Sequence, residues 1–562
     1  MVAGGKKGKA REELVFLPLG GTGEIGMNAY LYGLGPVRDR RWLMVDLGVK
    51  FGSEREPGVD VILPDMAFME AERHALEGLV LTHAHEDHLG AVPYLWERLG
   101  MPVYATRFTA ALLMNKLEEA GLEEEVPLHI VEPGDRFALG PFDIELVRVN
   151  HSIPEPNALA IRTGAGTVVH SGDWKIDDAP VLGERIDEAR LREIGAEGCL
   201  ALVCDSTNAM REGHSPTEEE VAASLTSIIA RAKARVAITT FASHVGRLET
   251  VARAAHEAGR QVVVAGRAMN TVIEAARHSG YLRDVPDFQP ADAFGYLPPE
   301  KVVCLCTGSQ GEPRAAMARI ADDSHPSIAL EAGDLVIFSS KTIPGNEKAV
   351  IEIENKLAAR GVEIVTSDDA LVHVTGHPRR DELRQLYDWL KPGMLIPMHG
   401  EMRHMMEHAK FAREQGIAAT QVVTNGEILR LAPGAPEIVD EAPSGRLFVD
   451  GRLIVSEHAA AIRDRRKLSF VGMVAVSVIV DGRGDLVGEP QIAMEGVPAE
   501  DENATPMADI VLDVVEEVME GLPRARRRDR DLLAETLRRA VRRAMALHWG
   551  KKPLCRVMIH TV

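Results

Sequence analysis

Along the first 210 residues the apolar positions come in short runs separated by polar loops, and several runs stop in the same way. Leu79-Val80-Leu81-Thr82 leads into His83, Val147-Arg148-Val149-Asn150 into His151, Val168-Val169-His170 toward Asp173, and Leu202-Val203-Cys204 into Asp205. Runs of this length predict buried strands, and the strand ends of open sheets are where side chains converge on a site. After this stretch the texture changes. Ser215-Pro216-Thr217-Glu218 has the pattern of a capping box with proline at the first helical position, and predicts an amphipathic helix reaching about Lys233. Strand and helix then alternate: strands are expected over 236–240 and 261–265 and helices over 247–258 and 270–278, the order of a parallel α/β unit. That unit extends to about Thr366. Further on the first pattern returns, because Leu395-Ile396-Pro397-Met398 ends in His399.

The α/β block therefore reads as an insertion over 208–370 into a first domain made of 1–207 and 371–450. Proline and glycine from Ala432 to Gly451 predict irregular connecting chain. A linker is expected over 451–465 and a last domain over 466–562, starting in a strand near 471–480 and ending in a basic helix. A chain of 562 residues exceeds one core, so about three to four domains are expected. With 45% hydrophobic and 26% charged residues it reads as globular, which excludes disordered and fibrous classes.

The five cysteines, at 199, 204, 304, 306 and 555, have no metal-finger spacing and suggest a reducing compartment. Lysines near Met1–Arg11 are not followed by an apolar signal stretch, and no run of about 18 apolar residues follows. The expected location is cytoplasmic, with no membrane partner. A net charge of −20 argues weakly against a nucleic-acid partner. A polyanion responds to the local potential of a cleft, and bound divalent cations add positive charge that a residue count omits.

Such cations have an obvious place. His83-Ala84-His85-Glu86-Asp87-His88 offers three imidazoles and a carboxylate within six residues, between an expected strand and an expected helix. Nitrogen and oxygen donors at this spacing suit zinc or a similar first-row metal, and alternate side chains can serve two ions. A solvated histidine-rich loop is the blander explanation. It weakens because His151, Asp173 and His399 stand at other strand ends and supply further ligands, with Asp173 in a Gly172-Asp173 loop able to bridge two ions.

The hexapeptide, Asn150-His151-Ser152 and Gly172-Asp173 resemble the metallo-β-lactamase superfamily, and Asp205, His377 and His399 resemble three motifs of its β-CASP branch. Gly23-Glu24-Ile25-Gly26-Met27-Asn28, Pro57-Gly58-Val59-Asp60, Cys204-Asp205-Ser206-Thr207-Asn208, Thr307-Gly308-Ser309-Gln310-Gly311-Glu312-Pro313, Ile343-Pro344-Gly345-Asn346-Glu347 and Pro397-Met398-His399-Gly400-Glu401 resemble ribonuclease J over roughly 14–450. The last hundred residues resemble that family's C-terminal domain only loosely. The resemblance implies an α/β fold: an αββα metallo-β-lactamase sandwich, an inserted α/β β-CASP domain and a smaller α+β C-terminal domain.

It also implies two zinc ions, with manganese as the alternative. His83, His85 and His151 would hold one ion, Asp87, His88 and His399 the other, and Asp173 both. A histidine at position 399 accompanies RNA substrates in this branch. Two ions about 3.5–4 Å apart would acidify a bound water toward a pKa near 7 and neutralise phosphoryl charge. Asp87 or Asp205 would then steady the nucleophile or orient an imidazole, and His377 would stabilise the transition state or protonate the leaving oxygen.

The family's pocket for a 5′-monophosphate maps to Phe241, Ser243 and His244 and to His373, Thr375, Gly376 and His377. Asparagine is expected where His244 stands and serine where Thr375 stands; threonine keeps the hydroxyl, while His244 either strengthens or crowds the pocket. The implied activity is 5′-to-3′ exonucleolytic trimming of 5′-monophosphorylated RNA with additional internal cleavage, by a dimer or tetramer. The alternatives are a β-CASP endoribonuclease without end dependence, a small-molecule metallo-hydrolase, and a non-catalytic RNA-binding scaffold. Two further features stay outside this reading. Gly20-Gly21-Thr22-Gly23-Glu24-Ile25-Gly26 looks like a dinucleotide loop but is followed by a strand pattern, so it reads as a turn. The arginines from Arg524 to Arg543, with Lys551 and Lys552, form a basic run that guides RNA, meets an acidic partner, or is simply solvated.

Overall fold

A computed structural model describes residues 12–343 and 345–562. The lysine-bearing start, 1–11, and Pro344 of the 343–347 motif lie outside the described residues. The described chain divides into two compact units, one of residues 12–50 and 63–446 and one of 51–62 and 447–562.

In the larger unit two sheets face each other. The first has the strand order Glu437–Glu441, Glu427–Ala432, Glu13–Gly20, Ala29–Gly35, Arg41–Val45, Leu76–Val80, Val103–Ala105, Leu128–Ile130. The second runs Arg136–Leu139, Phe142–Arg148, Asn157–Thr163, Gly166–His170, Ala201–Asp205, Met394–Met398, Ala419–Thr420. Phe16, Tyr32, Phe142, Ile144, Leu159, Val203 and Ile396 form the dry layer between them. Helices Glu188–Gly198, Arg380–Leu390 and Met402–Glu414 cover the outer face of the second sheet through Leu191, Leu386, Trp389 and Phe411.

Direction matters more than order here. Gly166–His170, Ala201–Asp205 and Met394–Met398 are mutually parallel, and Phe142–Arg148, two antiparallel steps away, points the same way. Their C-terminal ends therefore share one rim.

The inserted block is a six-stranded, wholly parallel sheet in the order Gln289–Pro290, Gln261–Ala265, Val302–Cys306, Val236–Thr239, Leu335–Phe338, Glu363–Val365. The near-continuous apolar strands agree with burial on both faces. The helix start after Ser215 is shifted. Thr217, not Ser215, caps helix Glu218–Arg231 in a box with Glu220. The reason is that Glu218 turns inward to Arg247, with Oε2 2.7 Å from Nη2.

In the smaller unit the strands Gln491–Glu495, Met473–Val480 and Leu554–Thr561 make a sheet, covered on one face by helices Met507–Gly521 and Arg530–His548. The basic helix is thus followed by a strand that the sequence pattern did not show. The stretches expected as connecting chain and linker also carry regular structure: strands Glu437–Glu441, Arg446–Asp450 and Leu453–Ser456, and the start of helix Ala460–Val471. Among the described residues no helix is long and apolar enough to cross a membrane.

Candidate metal centre

The shared rim carries His151, Asp173, Asp205 and His399, and the loop after strand Leu76–Val80 of the first sheet brings His83, His85, Asp87 and His88 to meet them. His83 Nε2 lies 3.0 Å from His85 Nδ1, which lies 3.1 Å from His151 Nε2. One Asp173 oxygen, Oδ2, is 3.9 Å from His83 Nε2, 3.7 Å from His151 Nε2, 3.3 Å from His88 Nε2 and 3.4 Å from His399 Nε2. Asp87 Oδ2 stands 3.7 Å from His88 Nε2. The donors fall into three groups that share Asp173: His83, His85, His151 with Asp173; Asp87, His88, His399 with Asp173; and the smaller set Asp205, His377 with Asp173.

The outward nitrogens of four rings are already bonded. His83 Nδ1 meets Thr82 Oγ1 at 3.0 Å, His151 Nδ1 the Gly376 carbonyl at 2.6 Å, His88 Nδ1 the Asp46 carboxylate at 2.7 Å, and His399 Nδ1 Asn28 Oδ1 at 2.9 Å. Each ring is thereby held in the tautomer that aims a bare Nε2 lone pair inward, the arrangement that orients metal ligands. Bare lone pairs about 3 Å apart repel unless a cation lies among them. Ligands about 2.0–2.1 Å from a tetrahedral zinc are themselves about 3.3 Å apart, so the observed spacing fits. Asp173 Oδ1 is buried without a partner, as an oxygen kept for an ion would be. At the second group the Asn28 amide lies 2.9 Å from His88 Nε2, a contact that an ion would replace.

Before any ion is bound, burial and the carboxylates act in opposite directions at the two histidine groups. Burial, reinforced by the neighbouring imidazoles His88 and His85, holds His83 well below the usual histidine range, and burial brings His85 to about 4 against the pull of Asp87 and Asp173. Both are neutral, as ligands must be. For His88 burial lowers the value, but Asp173, Asp87 and Asp46 together raise it well above the ordinary one.

Backbone geometry supports the cluster. Gly172 has φ +56 and His399 φ +47, both in the left-handed region, which for histidine is a strained conformation that the surrounding site must hold. Gly376 has no room for a side chain, since a Cβ there would lie 2.6 Å from His151 Nδ1.

Beside the cluster, His377 Nδ1 lies 2.7 Å from Asp205 Oδ2 and 4.0 Å from Asp173 Oδ2. Burial depresses the His377 imidazole, but the charge and hydrogen bond of Asp205, then Asp173 and Asp87, lift it to about 9. Asp205 Oδ1 accepts from Thr207 N at 2.8 Å, so this carboxylate is committed to His377 and its own loop.

The remaining sequence-derived candidates lie in the loops of the inserted sheet and the segment returning from it. Thr375 Oγ1 accepts from Asn208 Nδ2 at 2.8 Å and from His377 N at 3.2 Å, which leaves its own proton free to donate. Phe241 and Ser243 are half-buried at the end of strand Val236–Thr239. His244 is buried and caps helix Val245–Glu257: Nδ1 accepts from Arg247 N, and Nε2 lies 3.1 Å from Glu218 Oε1. Both ring nitrogens are engaged inside, and burial lowers its basicity, so the ring has no donor left for a phosphate. His373 is neutral as well, brought to about 3 by burial with Arg247 and His244 nearby, and its Nδ1 has no partner.

Residues not singled out in the sequence complete the site. Asp46 accepts from Thr82 N at 2.8 Å and from Thr82 Oγ1 at 2.9 Å as well as holding His88. It ends the run Leu43-Met44-Val45 in the same manner as the other site aspartates, so the signal was present. Glu218, Arg247 and Lys175 form a buried ionic group with no such signal.

Models of known families cover most of this chain. A beta-lactamase superfamily domain matches 56–240, the Ribonuclease J beta-CASP domain 233–357, a Zn-dependent metallo-hydrolase RNA specificity domain 361–422, and the Ribonuclease J C-terminal domain 460–562. Ribonuclease J of Sinorhizobium meliloti is 52% identical over 99% of this chain and 100% of its own length. The chain belongs to the ribonuclease J family. Ribonuclease J of Thermus thermophilus is 37% identical over 84% of each chain, and Ribonuclease J2 of Bacillus subtilis 33% identical over 87% of this chain and 88% of its own. A crystal structure of an Enterococcus faecalis protein of unknown function covers 74% of this chain and 100% of its own at TM-score 0.51 and 15% identity, a likeness of fold. As a ribonuclease J family member the chain is a hydrolytic ribonuclease of the Zn-dependent metallo-hydrolase class, and its fold is the metallo-β-lactamase domain with inserted β-CASP and C-terminal domains.

Proposed function

We propose that this ribonuclease removes nucleotides from RNA in the 5′-to-3′ direction, prefers a 5′-monophosphate end, and also cuts internally. The observation that carries this is the segment Thr375-Gly376-His377. Its hydroxyl oxygen accepts from Asn208 Nδ2 and keeps its own proton to donate, its carbonyl holds the candidate ligand His151, and its imidazole rests on Asp205. A strand end held by Thr375 thus lies within two residues of the chemistry.

Two zinc ions, or manganese in their place, fit the two donor groups, and when bound they acidify water toward a pKa of about 7 and neutralise phosphoryl charge. His83, His85, His151 and Asp173 would hold the first, and Asp87, His88, His399 and Asp173 the second. Asp87, whose side chain is about a third exposed, would accept a hydrogen bond from the attacking water. His377, kept protonated by Asp205, gives a proton from Nε2 to the leaving 3′-oxygen. The hydroxyls of Thr375 and Ser243 hold the terminal phosphate, Phe241 stacks on the first base, and His244 and His373 position the loops rather than touch the phosphate.

We take 1–207 with 371–450 as the catalytic domain, 208–370 as the insertion and 466–562 as the C-terminal domain, in a cytoplasmic homo-oligomer that acts in RNA maturation and decay. One RNA labelled at either end and bearing a mono- or triphosphate tests the reading. Faster release of single nucleotides from the monophosphate form is expected. Equal rates on both would leave an endonuclease without end dependence.

A further inference from the structure

We propose that Arg211, Lys341 and Arg379 form a binding site for the phosphodiester backbone of single-stranded RNA next to His377, an inference that rests on the ribonuclease reading above. Three separate segments bring these cations together. Arg380 N donates to the Arg211 carbonyl at 2.9 Å, and Asn208 Nδ2 to Thr375 Oγ1 and the His377 carbonyl, so the 208–211 loop runs along 375–380. The end of strand Leu335–Phe338 joins the same segment slightly earlier, where Ser339 Oγ and Arg247 Nη1 each donate to the Val372 carbonyl at 2.7 Å. Gln310 then fixes the next turn, donating to the Lys341 carbonyl at 3.0 Å and accepting from Ile343 N at 2.8 Å.

The charges on this surface are not neutralised. Arg211 and Lys341 are exposed and Arg379 is half-buried. Arg379 Nη1 donates to the His214 carbonyl at 3.0 Å, while its Nε is buried without a partner. Among the described residues none of the three is ion-paired, whereas adjacent Arg380 pairs with both Glu212 and Glu407. Burial and then the charges of Arg211 and Arg379 pull the Lys341 ammonium below its ordinary value, against the opposing charge of Asp368. Like charges held together in a protein of net charge −20 repel one another, and a bound polyanion removes that cost.

The ligand class follows from position and chemistry. Two guanidinium forks and an ammonium match phosphate oxygens, the acceptors that recur at every step of an RNA strand. Arg379 sits two residues beyond His377 and Arg211 three beyond Asn208, on the segments that hold the reacting group, and Lys341 follows the strand end tied to Val372 on the same segment. An RNA strand bound at His377 therefore continues onto these cations.

The test measures RNA affinity in the uncleaving His377→Ala protein, alone and combined with Arg211→Gln, Lys341→Gln or Arg379→Gln, as a function of salt. Turnover of the same RNA by the single variants is measured in parallel. Each substitution is expected to weaken binding about threefold to tenfold and to reduce the slope of log affinity against log salt by about 0.7. KM should rise with little change in kcat. Lys341→Arg and Arg379→Lys should restore most of the binding, and Arg231→Gln, a surface arginine elsewhere on the insertion, should leave the slope unchanged. Unchanged affinity and slope in the three glutamine variants would overturn the site while leaving the ribonuclease reading intact. Absence of RNA cleavage by the unaltered protein would overturn that reading itself.

Discussion

His377 Nδ1 stands 2.7 Å from Asp205 Oδ2 and 4.0 Å from Asp173 Oδ2, so the pair meets the histidine cluster through the one aspartate common to all its groups. The Asp205 carboxylate fixes the ring and favours its charged form, which leaves Nε2 as a donor toward substrate. Removing either partner should therefore damage chemistry and spare metal binding. His377→Ala and Asp205→Asn are expected to lower kcat by about 10²–10⁴-fold with unchanged metal content by elemental analysis. Loss of an ion in either variant would place the residue among the ligands instead.

Asp46 acts one bond further out. Its carboxylate takes the proton of His88 Nδ1 and is itself held by both the backbone and the hydroxyl of Thr82. Asp46→Asn keeps the shape but replaces an anionic acceptor with a neutral one. Metal affinity, measured by competition with a chelator, should fall about 10–100-fold. An unaltered affinity would show that His88 does not need this orientation.

The end-binding role proposed for Thr375 rests on one free hydroxyl proton. Thr375→Val should abolish the ratio of rates on monophosphate and triphosphate RNA, and Thr375→Ser should keep it. Persistence of the ratio in the valine variant would move the pocket elsewhere.

Glu218 pairs with Arg247 and His244 within the inserted block and lies 4.0 Å from Lys175, which precedes it in the chain. Burial raises the Glu218 carboxyl, but Arg247 and His244 more than offset this and hold it well below the usual range. A depressed carboxyl contributes stability that is fully present above the unfolded value near pH 4.3 and is lost as pH falls through the folded value. Glu218→Gln should cost about 3 kcal/mol at neutral pH by stranding buried Arg247. The difference from the unaltered protein, read from denaturant unfolding, should shrink below pH 4.3. A constant difference down to strongly acidic pH would deny the charge its role.

The parts of this site legible in the sequence were those written locally. Abrupt strand ends at His83, His151, Asp173, Asp205 and His399 marked the rim, because the last residue of a buried strand has few reasons to be polar except function. Asp46 carried the same mark and was passed over, since it lies far from the histidine-rich loop. Other features depended on contacts the local pattern does not contain. Glu218 looked like a helix-capping acid, and Arg247, 29 residues away, draws it inward and moves the cap to Thr217. Strand Leu554–Thr561 alternates only weakly in burial and gains its place by pairing in parallel with Met473–Val480. His244 was open to two readings until Glu218 and the helix N-terminus were seen to occupy its nitrogens.

The proposal that Asp173 serves two cation sites is tested most directly by metal stoichiometry. Zinc and manganese per chain should be counted by elemental mass spectrometry in the unaltered protein and in Asp173→Ala. Two equivalents in the first and one or none in the second are expected; two equivalents in both, or fewer than two in the unaltered chain after saturation with either metal, would contradict the account.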